Sequence, residues 1–289
     1  MQITAHAKLN WTLSVLGRRE DGYHELDTLM QSVALGDSIE MEHGDGLTLA
    51  LAGKAAVPQD RSNLALRAAD VLRKAMGVTA GARILLRKRI PVSAGLGGGS
   101  ADAAAVLTGL SALWGLSVSD HDLKALALVI GADVPFCLTG GLARARGVGE
   151  ALTRLDTPAP LEVVIVKPTA GLSTPAVFAA YDKLEKKPSN PDSDAATRAL
   201  TAGNKRMLAA AMGNALQAAA VPLAPEIALC AQALEHLGAL RAQMTGSGSA
   251  VIGLFASAKE AAAAANACRR LWKHTFHTRT VDRGVSIIA

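Results

Sequence analysis

Pro91-Val92-Ser93-Ala94-Gly95-Leu96-Gly97-Gly98-Gly99-Ser100-Ala101-Asp102 sets four glycines between two contrasting stretches of chain. Before it, Arg83–Ile90 has the apolar composition of a strand. After it, Ser100–Leu116 has helical composition throughout. Glycines in such a loop let the backbone take positive φ and come close to a ligand. The helix that follows offers unpaired N–H groups and the positive end of its dipole, which suit a phosphate. Two common nucleotide loops do not fit. No lysine follows the glycines, as a P-loop requires, and Asp120, at the distance where a dinucleotide fold keeps its ribose carboxylate, sits in a helix-capping context. A tight turn with no ligand is the competing reading, although fewer glycines would suffice for turning alone.

Outward from the loop, both periodicities are present. Ile3, Ala5, Ala7, Leu9, Trp11, Leu13 and Val15 alternate with His6, Lys8, Asn10, Thr12 and Ser14, which predicts a strand with one polar face. Ile39 and Met41, then Leu47, Leu49 and Leu51, predict a hairpin turning at His43-Gly44-Asp45-Gly46. Helices are expected over Leu64–Met76 and Leu123–Ile130, the latter capped by Ser119 or Asp120 and stopped by Gly131. Leu161–Val166 reads as a buried strand and Lys183–Asp194 as a mobile surface loop. Ala-rich helices are expected around residues 205–219 and 225–237, a strand-turn-strand over Met244–Phe255, and a last helix opening on Ser257 and Glu260 at capping-box spacing. Strands and helices mix without regular βαβ alternation, so the fold class is α+β. A length of 289 residues suits two domains, 1–156 and 157–289, divided near Asp156–Leu161.

Composition narrows the function. With 50% hydrophobic and 19% charged residues the chain is not disordered, and with 3% aromatics its core must rest on small and aliphatic side chains. A net charge of +5 suits an anionic small molecule, and there is no basic run interleaved with aromatics, so no nucleic-acid partner is expected. Cys137, Cys230 and Cys268 show neither zinc nor disulfide spacing, which points to a reducing compartment. The opening residues lack a signal-peptide core, and the uncharged stretch Met207–Pro225 carries Asn214, Gln217 and two prolines. No membrane partner and a cytoplasmic location are therefore expected.

Several segments carry chemistry-bearing side chains, each with a plain structural alternative. Lys8 and Asn10 point to one face of their strand, which a solvated strand face would equally explain. Tyr23, in Gly22-Tyr23-His24, either stacks on a ring or covers the core edge. Asp133, in Gly131-Ala132-Asp133-Val134-Pro135, is either a functional carboxylate or a turn and cap residue. Thr245-Gly246-Ser247-Gly248-Ser249 is a second glycine-rich turn that a hairpin alone would explain.

Together these segments resemble the GHMP kinase superfamily, whose members transfer the γ-phosphate of ATP to a small-molecule hydroxyl. The resemblance spans nearly the whole chain: Lys8-Leu9-Asn10, Pro91–Ala101, Gly131–Pro135 and Gly246-Ser247-Gly248. Gly22-Tyr23-His24 narrows it to the branch that acts on a cytidine diphosphate ester in isoprenoid precursor synthesis, and separates it from homoserine, mevalonate and galactose kinases. The resemblance implies a two-domain α+β fold with the active site in the cleft between domains. It also implies ATP as co-substrate with Mg²⁺, and a cytidine diphosphate ester as the small-molecule partner. In this reading Pro91, Val92, Ser93, Ala94, Gly95, Leu96, Gly97, Gly98, Gly99, Ser100 and Ala101 bind the ATP phosphates, with Gly246, Ser247 and Gly248 as further phosphate contacts. Asp133 would be the catalytic base and Lys8 would hold that carboxylate and the hydroxyl. Asn10 would help position the substrate, Tyr23 and Phe178 would sandwich the cytosine, and His24 would read its edge.

Two departures stand out. Asn214-Ala215-Leu216-Gln217 replaces the usual Asn-Asp-Leu-Glu, and Ala101 replaces the second of two serines in the loop. The alternatives are another small-molecule kinase of the superfamily, of the homoserine or mevalonate class, and a silent nucleotide-binding sensor. The sensor would be expected to have lost Lys8 or Asp133.

Overall fold

The alternating opening segment forms β1 (Gln2–Arg18), which pairs antiparallel with the longer β2 (His24–Gly44). The structure is a computed structural model that describes residues 1–53, 55–156, 159–168 and 171–288. The first half continues through β3 (Leu47–Leu51), α1 (Leu64–Ala75), β4 (Gly81–Arg87), α2 (Gly98–Leu113), α3 (Asp120–Ile130), α4 (Val134–Thr139), β5 (Leu142–Gly147) and β6 (Ala151–Leu155). The second half holds β7 (Glu162–Lys167), α5 (Thr174–Asp182), α6 (Ser193–Thr201), α7 (Lys205–Ala211), β8 (Gly213–Asn214), α8 (Gln217–Ala220) and α9 (Glu226–His236). It ends with β9 (Arg241–Met244), β10 (Val251–Phe255), α10 (Ala258–Cys268), β11 (His274–Arg279) and β12 (Val285–Ile288).

The larger sheet runs β12-β1-β2-β4-β3, with β5 and then β6 continuing from the far part of β2 and β8 lying parallel to β1. The smaller sheet runs β11-β7-β10-β9, antiparallel throughout. Two buried clusters fill the interior, the first reaching one face of the smaller sheet through Val163, Ile165, Ile252 and Leu254 and the second covering its other face. Ile3, Leu9 and Trp11 belong to the first, while Leu13 and Val15, farther along the same strand, belong to the second. One strand thus serves both halves, which is why its alternation runs so far. The alanines of α2 explain the scarcity of aromatics: Ala101, Ala103, Ala104 and Ala105 are fully buried, so the helix lies close on the sheet. Helix starts follow local chemistry: Asn63, Ser119, Ser173, Asp192, Asn204 and Ser257 each accept a backbone N–H of the first turn.

Several expectations need correction. The segment after His43-Gly44-Asp45-Gly46 does not form a hairpin with β2. β4 is inserted between β2 and β3, antiparallel to the first and parallel to the second. The reason is at Gly81, where a Cβ would strike the Gly44 carbonyl and the Gly46 backbone, and where Ala82 N–H donates to the Gly46 carbonyl at 2.9 Å. A glycine lets β4 start directly beneath the turn and take the central place. The polar face of β1 is not solvated, since His6, Lys8, Asn10, Thr12 and Ser14 are all buried.

The helix expected over 205–219 breaks after Ala211. Met212 turns extended (ψ 140°) and Gly213–Asn214 docks beside Thr12–Leu13, where a Cβ on Gly213 would lie 2.8 Å from Pro191. The loop expected over 183–194 is shorter, because Ser193 and Asp194 start α6, and it is strapped to β1: Asn190 Oδ1 accepts from Val15 N–H at 3.0 Å. β5, β6, β11 and β12 carry no strong sequence pattern. Thr157 and Pro158, inside the segment Asp156–Leu161 expected to divide the domains, lie outside the described residues.

Candidate active site

The edge of β1 organises the site. β12 pairs with β1 only over Gln2–Ala5 and β8 only at Thr12–Leu13. Between them, Lys8 N–H donates to the Leu96 carbonyl at 3.0 Å and Asn10 N–H donates to Thr245 Oγ1 at 2.9 Å. The glycine loop of the first half and the glycine turn of the second therefore dock side by side on one strand edge. Ala250 N–H adds a bond to the Ala94 carbonyl at 3.1 Å.

On this frame Lys8 Nζ donates to Asn10 Oδ1 at 3.0 Å and lies 3.7 Å from Asp133 Oδ2. Asn10 is itself held, its Nδ2 donating to Thr28 Oγ1 at 2.8 Å and its Oδ1 also receiving Thr245 Oγ1 at 3.3 Å. It stands in the cavity wall as the support of the lysine. Asp133 occupies the position before α4, yet its side chain makes no capping bond. The lysine side chain is 6% exposed and the carboxylate 37%, so a buried ammonium steadies a carboxylate that faces open space. Such a pair can accept a proton from a hydroxyl while a positive charge stays beside the reacting oxygens.

Gly95 and Gly97 are left-handed (φ 73° and 68°), and Gly97 opens α2 without a side-chain cap. Their lack of a side chain serves the protein as well as any ligand. A Cβ on Gly95 would strike the Thr245 carbonyl, and one on Gly97 would lie 2.9 Å from Lys8 Cγ. Gly246 meets Gly95 in the same way, and Ser247 Oγ lies 2.7 Å from Thr174 Oγ1.

Beneath the loop lies a group that sequence reasoning missed. Lys88 Nζ donates to Asp37 at 2.5 Å and to Asp102 at 2.6 Å, and Asp37 also accepts from Ile90 N–H at 2.8 Å. Burial would favour the neutral amine at Lys88, but Asp102 and Asp37 outweigh it and raise its pKa. Burial pushes the Asp102 carboxyl well above the usual carboxylate range despite Lys88. Asp102 Oδ1 is buried with no hydrogen-bond partner among the described residues. A lone acid among the alanines of α2 was the available signal.

Part of the cavity wall is aromatic. His24 stacks on Phe178, with centroids 4.7 Å apart and planes at 24°, and Tyr23 stands 65% exposed beside them. Tyr23 makes no ring contact with Phe178 among the described residues; Phe178 has His24 against it, and His24 Nε2 bonds Asp182 Oδ1 at 2.7 Å. All line one cavity of about 940 Å³ with Lys8, Asp133 and the glycine loop.

The altered motif has a structural part. Asn214 Nδ2 donates to the Met244 and Gly246 carbonyls at 2.9 and 2.8 Å, and Gln217 Oε1 accepts Met244 N–H at 2.8 Å. It clamps the glycine turn, and an amide oxygen accepts that N–H as a carboxylate would. For Mg²⁺ the donor set is sparse. Among the described residues no cluster of three or more His, Cys, Asp or Glu side chains is found. Asp102 and Asp182 are engaged by Lys88 and His24. With so few free carboxylates, the cavity fits an ion held mainly by phosphate oxygens and water, with Ser100 in its wall.

Comparison with known proteins gives a consistent picture. Residues 63–141 match the GHMP kinases N terminal domain and residues 196–274 the GHMP kinases C terminal region. The chain is 47% identical, over 96% of its length and 97% of the relative's, to a 4-diphosphocytidyl-2-C-methyl-D-erythritol kinase of Pelotomaculum thermopropionicum. A crystal structure of 4-(cytidine 5'-diphospho)-2C-methyl-D-erythritol kinase superposes with a TM-score of 0.84 at 41% identity, covering 97% of this chain and 99% of that one. A homoserine kinase of Cytophaga hutchinsonii shares the fold, with a TM-score of 0.76 at 19% identity over 100% of this chain and 97% of the other.

Proposed function

The chain belongs to the GHMP kinase family, and on that footing we propose that it transfers the γ-phosphate of ATP to the 2-hydroxyl of 4-diphosphocytidyl-2-C-methyl-D-erythritol, in isoprenoid precursor synthesis. The observation that carries the reading is the Lys8–Asp133 pair, 3.7 Å apart, in one cavity lined also by the glycine loop and by Tyr23, His24 and Phe178. Asp133 takes the proton of the hydroxyl as its oxygen bonds the γ-phosphorus, and the bond from that phosphorus to the β-phosphate bridge oxygen breaks to release ADP. Lys8 holds the base and the hydroxyl in line, and the Pro91–Ala101 backbone with Gly246, Ser247 and Gly248 cradles the phosphates. Positioning and charge account for most of such catalysis. Mg²⁺ supplies neutralisation of phosphate charge when bound.

Residues 1–156 would then form the N-terminal kinase domain and 157–289 the C-terminal one, a division supported by the two sheets, although β8 and β12 return to the first. A cytoplasmic setting is supported by three buried free cysteines, and no described helix is long and apolar enough to cross a membrane. The test is ATP consumption against a panel holding homoserine, mevalonate and the cytidine diphosphate ester. The ester should be the preferred acceptor, and turnover of another alcohol with the ester inert would overturn the assignment.

A further inference from the structure

We propose that Asp182 fixes which ring nitrogen of His24 carries the proton, and so makes this part of the cavity select an exocyclic amine over a carbonyl. The inference rests on the cytidine reading above and adds a specificity-determining residue to it. Asp182 is the last residue of α5, four after Phe178, so one helix face presents both a ring and a carboxylate to His24. Phe178 stacks on the imidazole, and Tyr181 meets it edge-on, with centroids 6.5 Å apart and planes at 86°. Held between these rings and 8% exposed, His24 keeps one orientation. In it, Nε2 lies 2.7 Å from Asp182 Oδ1, while Arg18 Nη1 lies 3.8 Å from Asp182 Oδ2.

An ionised carboxylate has only lone pairs to offer, so the ring nitrogen facing it must carry the hydrogen. In the neutral imidazole Nδ1 is then an acceptor. It is the remaining polar atom of a ring that lines the cavity. Cytosine presents an amine at its 4-position and uracil a carbonyl. An acceptor fixed at Nδ1 matches the first and opposes the second. Asparagine at 182 can turn its amide N–H₂ toward Nε2, which moves the ring proton to Nδ1 and reverses that preference.

The experiment uses two diphosphate esters alike except for the base, cytidine or uridine, with ATP saturating, on the wild type, Asp182→Asn and Asp182→Ala. Ring ¹⁵N spectra of His24 are recorded on the same proteins without substrate. The wild type should show hydrogen on Nε2, and Asp182→Asn should shift it toward Nδ1. The cytidine-to-uridine ratio of kcat/KM should fall about tenfold or more in Asp182→Asn, by a smaller factor in Asp182→Ala, with KM for ATP unmoved. Equal weakening of both esters would make Asp182 a structural prop and overturn the proposal, as would hydrogen on Nδ1 in the wild type. A wild type that shows Asp182-dependent Nε2–H yet takes both esters equally would sink the cytidine reading and the selectivity with it, leaving only the proton placement.

Discussion

Replacing Gly97 by alanine separates two uses of the glycine loop. The sequence alone suggests that a side chain there would obstruct the phosphates and weaken ATP while sparing the alcohol. The structure puts the added Cβ 2.9 Å from Lys8 Cγ and 3.7 Å from Cys137 Sγ. Carbon atoms rest about 3.5–4.0 Å apart, so the lysine stem must move roughly 0.6–1.1 Å. Displacements near 1 Å in a catalytic group cost on the order of 10² in rate, which places the fall in kcat at about 10–100-fold. The left-handed backbone (φ 68°) adds a conformational cost of about 1–2 kcal/mol in an L-residue, a melting loss of roughly 2–8 °C. Turnover is followed by ADP release with both substrates saturating, ATP binding by calorimetry and folding by melting. A kcat within about twofold of wild type with KM for ATP raised would refute the reasoning, since the glycine would then serve the phosphates alone.

Asp133→Asn should fold and bind ATP while losing about 10²–10⁴ in kcat; retention of half the wild-type turnover at saturation would make Asp133 a turn residue only. Tyr23→Ala should raise KM for the cytidine ester by the equivalent of about 1–3 kcal/mol with KM for ATP nearly unchanged, and the double variant with Phe178→Ala should be less than additive. Wild-type KM values in both single variants would remove the base from this part of the cavity. Burial raises the Asp102 pKa, so the folded chain keeps a proton that the unfolded chain releases. The stability this gives is complete below the ordinary aspartate range and is lost as pH rises through the folded value. Asp102→Asn cannot ionise, so its melting temperature relative to wild type should climb as pH rises above the ordinary aspartate range; a constant difference would count against a raised pKa. Gln217→Leu strands the buried Met244 N–H and should cost about 1–3 kcal/mol, whereas Gln217→Glu keeps an acceptor and should melt near wild type; equal losses would deny the clamp.

What the sequence determined by itself is local. Alternation from Ile3 to Val15 specifies a strand, because side chains on a pleated backbone repeat every two residues. Ser119 before Asp122, and Ser257 before Glu260, specify helix starts, because a hydroxyl three residues ahead of an N–H reaches it without help from the rest of the chain. Four glycines between a strand and a helix marked the loop, and the family resemblance joined it to Lys8, Asp133 and the aromatic residues. The tertiary structure decided what depends on distant neighbours. Whether Leu47–Leu51 pairs with β2 depends on Gly81, some thirty residues later, fitting beneath the turn. Whether Asp133 caps α4 or faces Lys8 depends on where β1 lies. Lys88, Asp37 and Asp102 became one buried group only when β2, the end of β4 and α2 were brought together, and His24 found Asp182 across 158 positions of chain. Periodicity and capping act over a few residues, whereas burial, charge pairing and proton placement belong to contacts that only the closed fold creates.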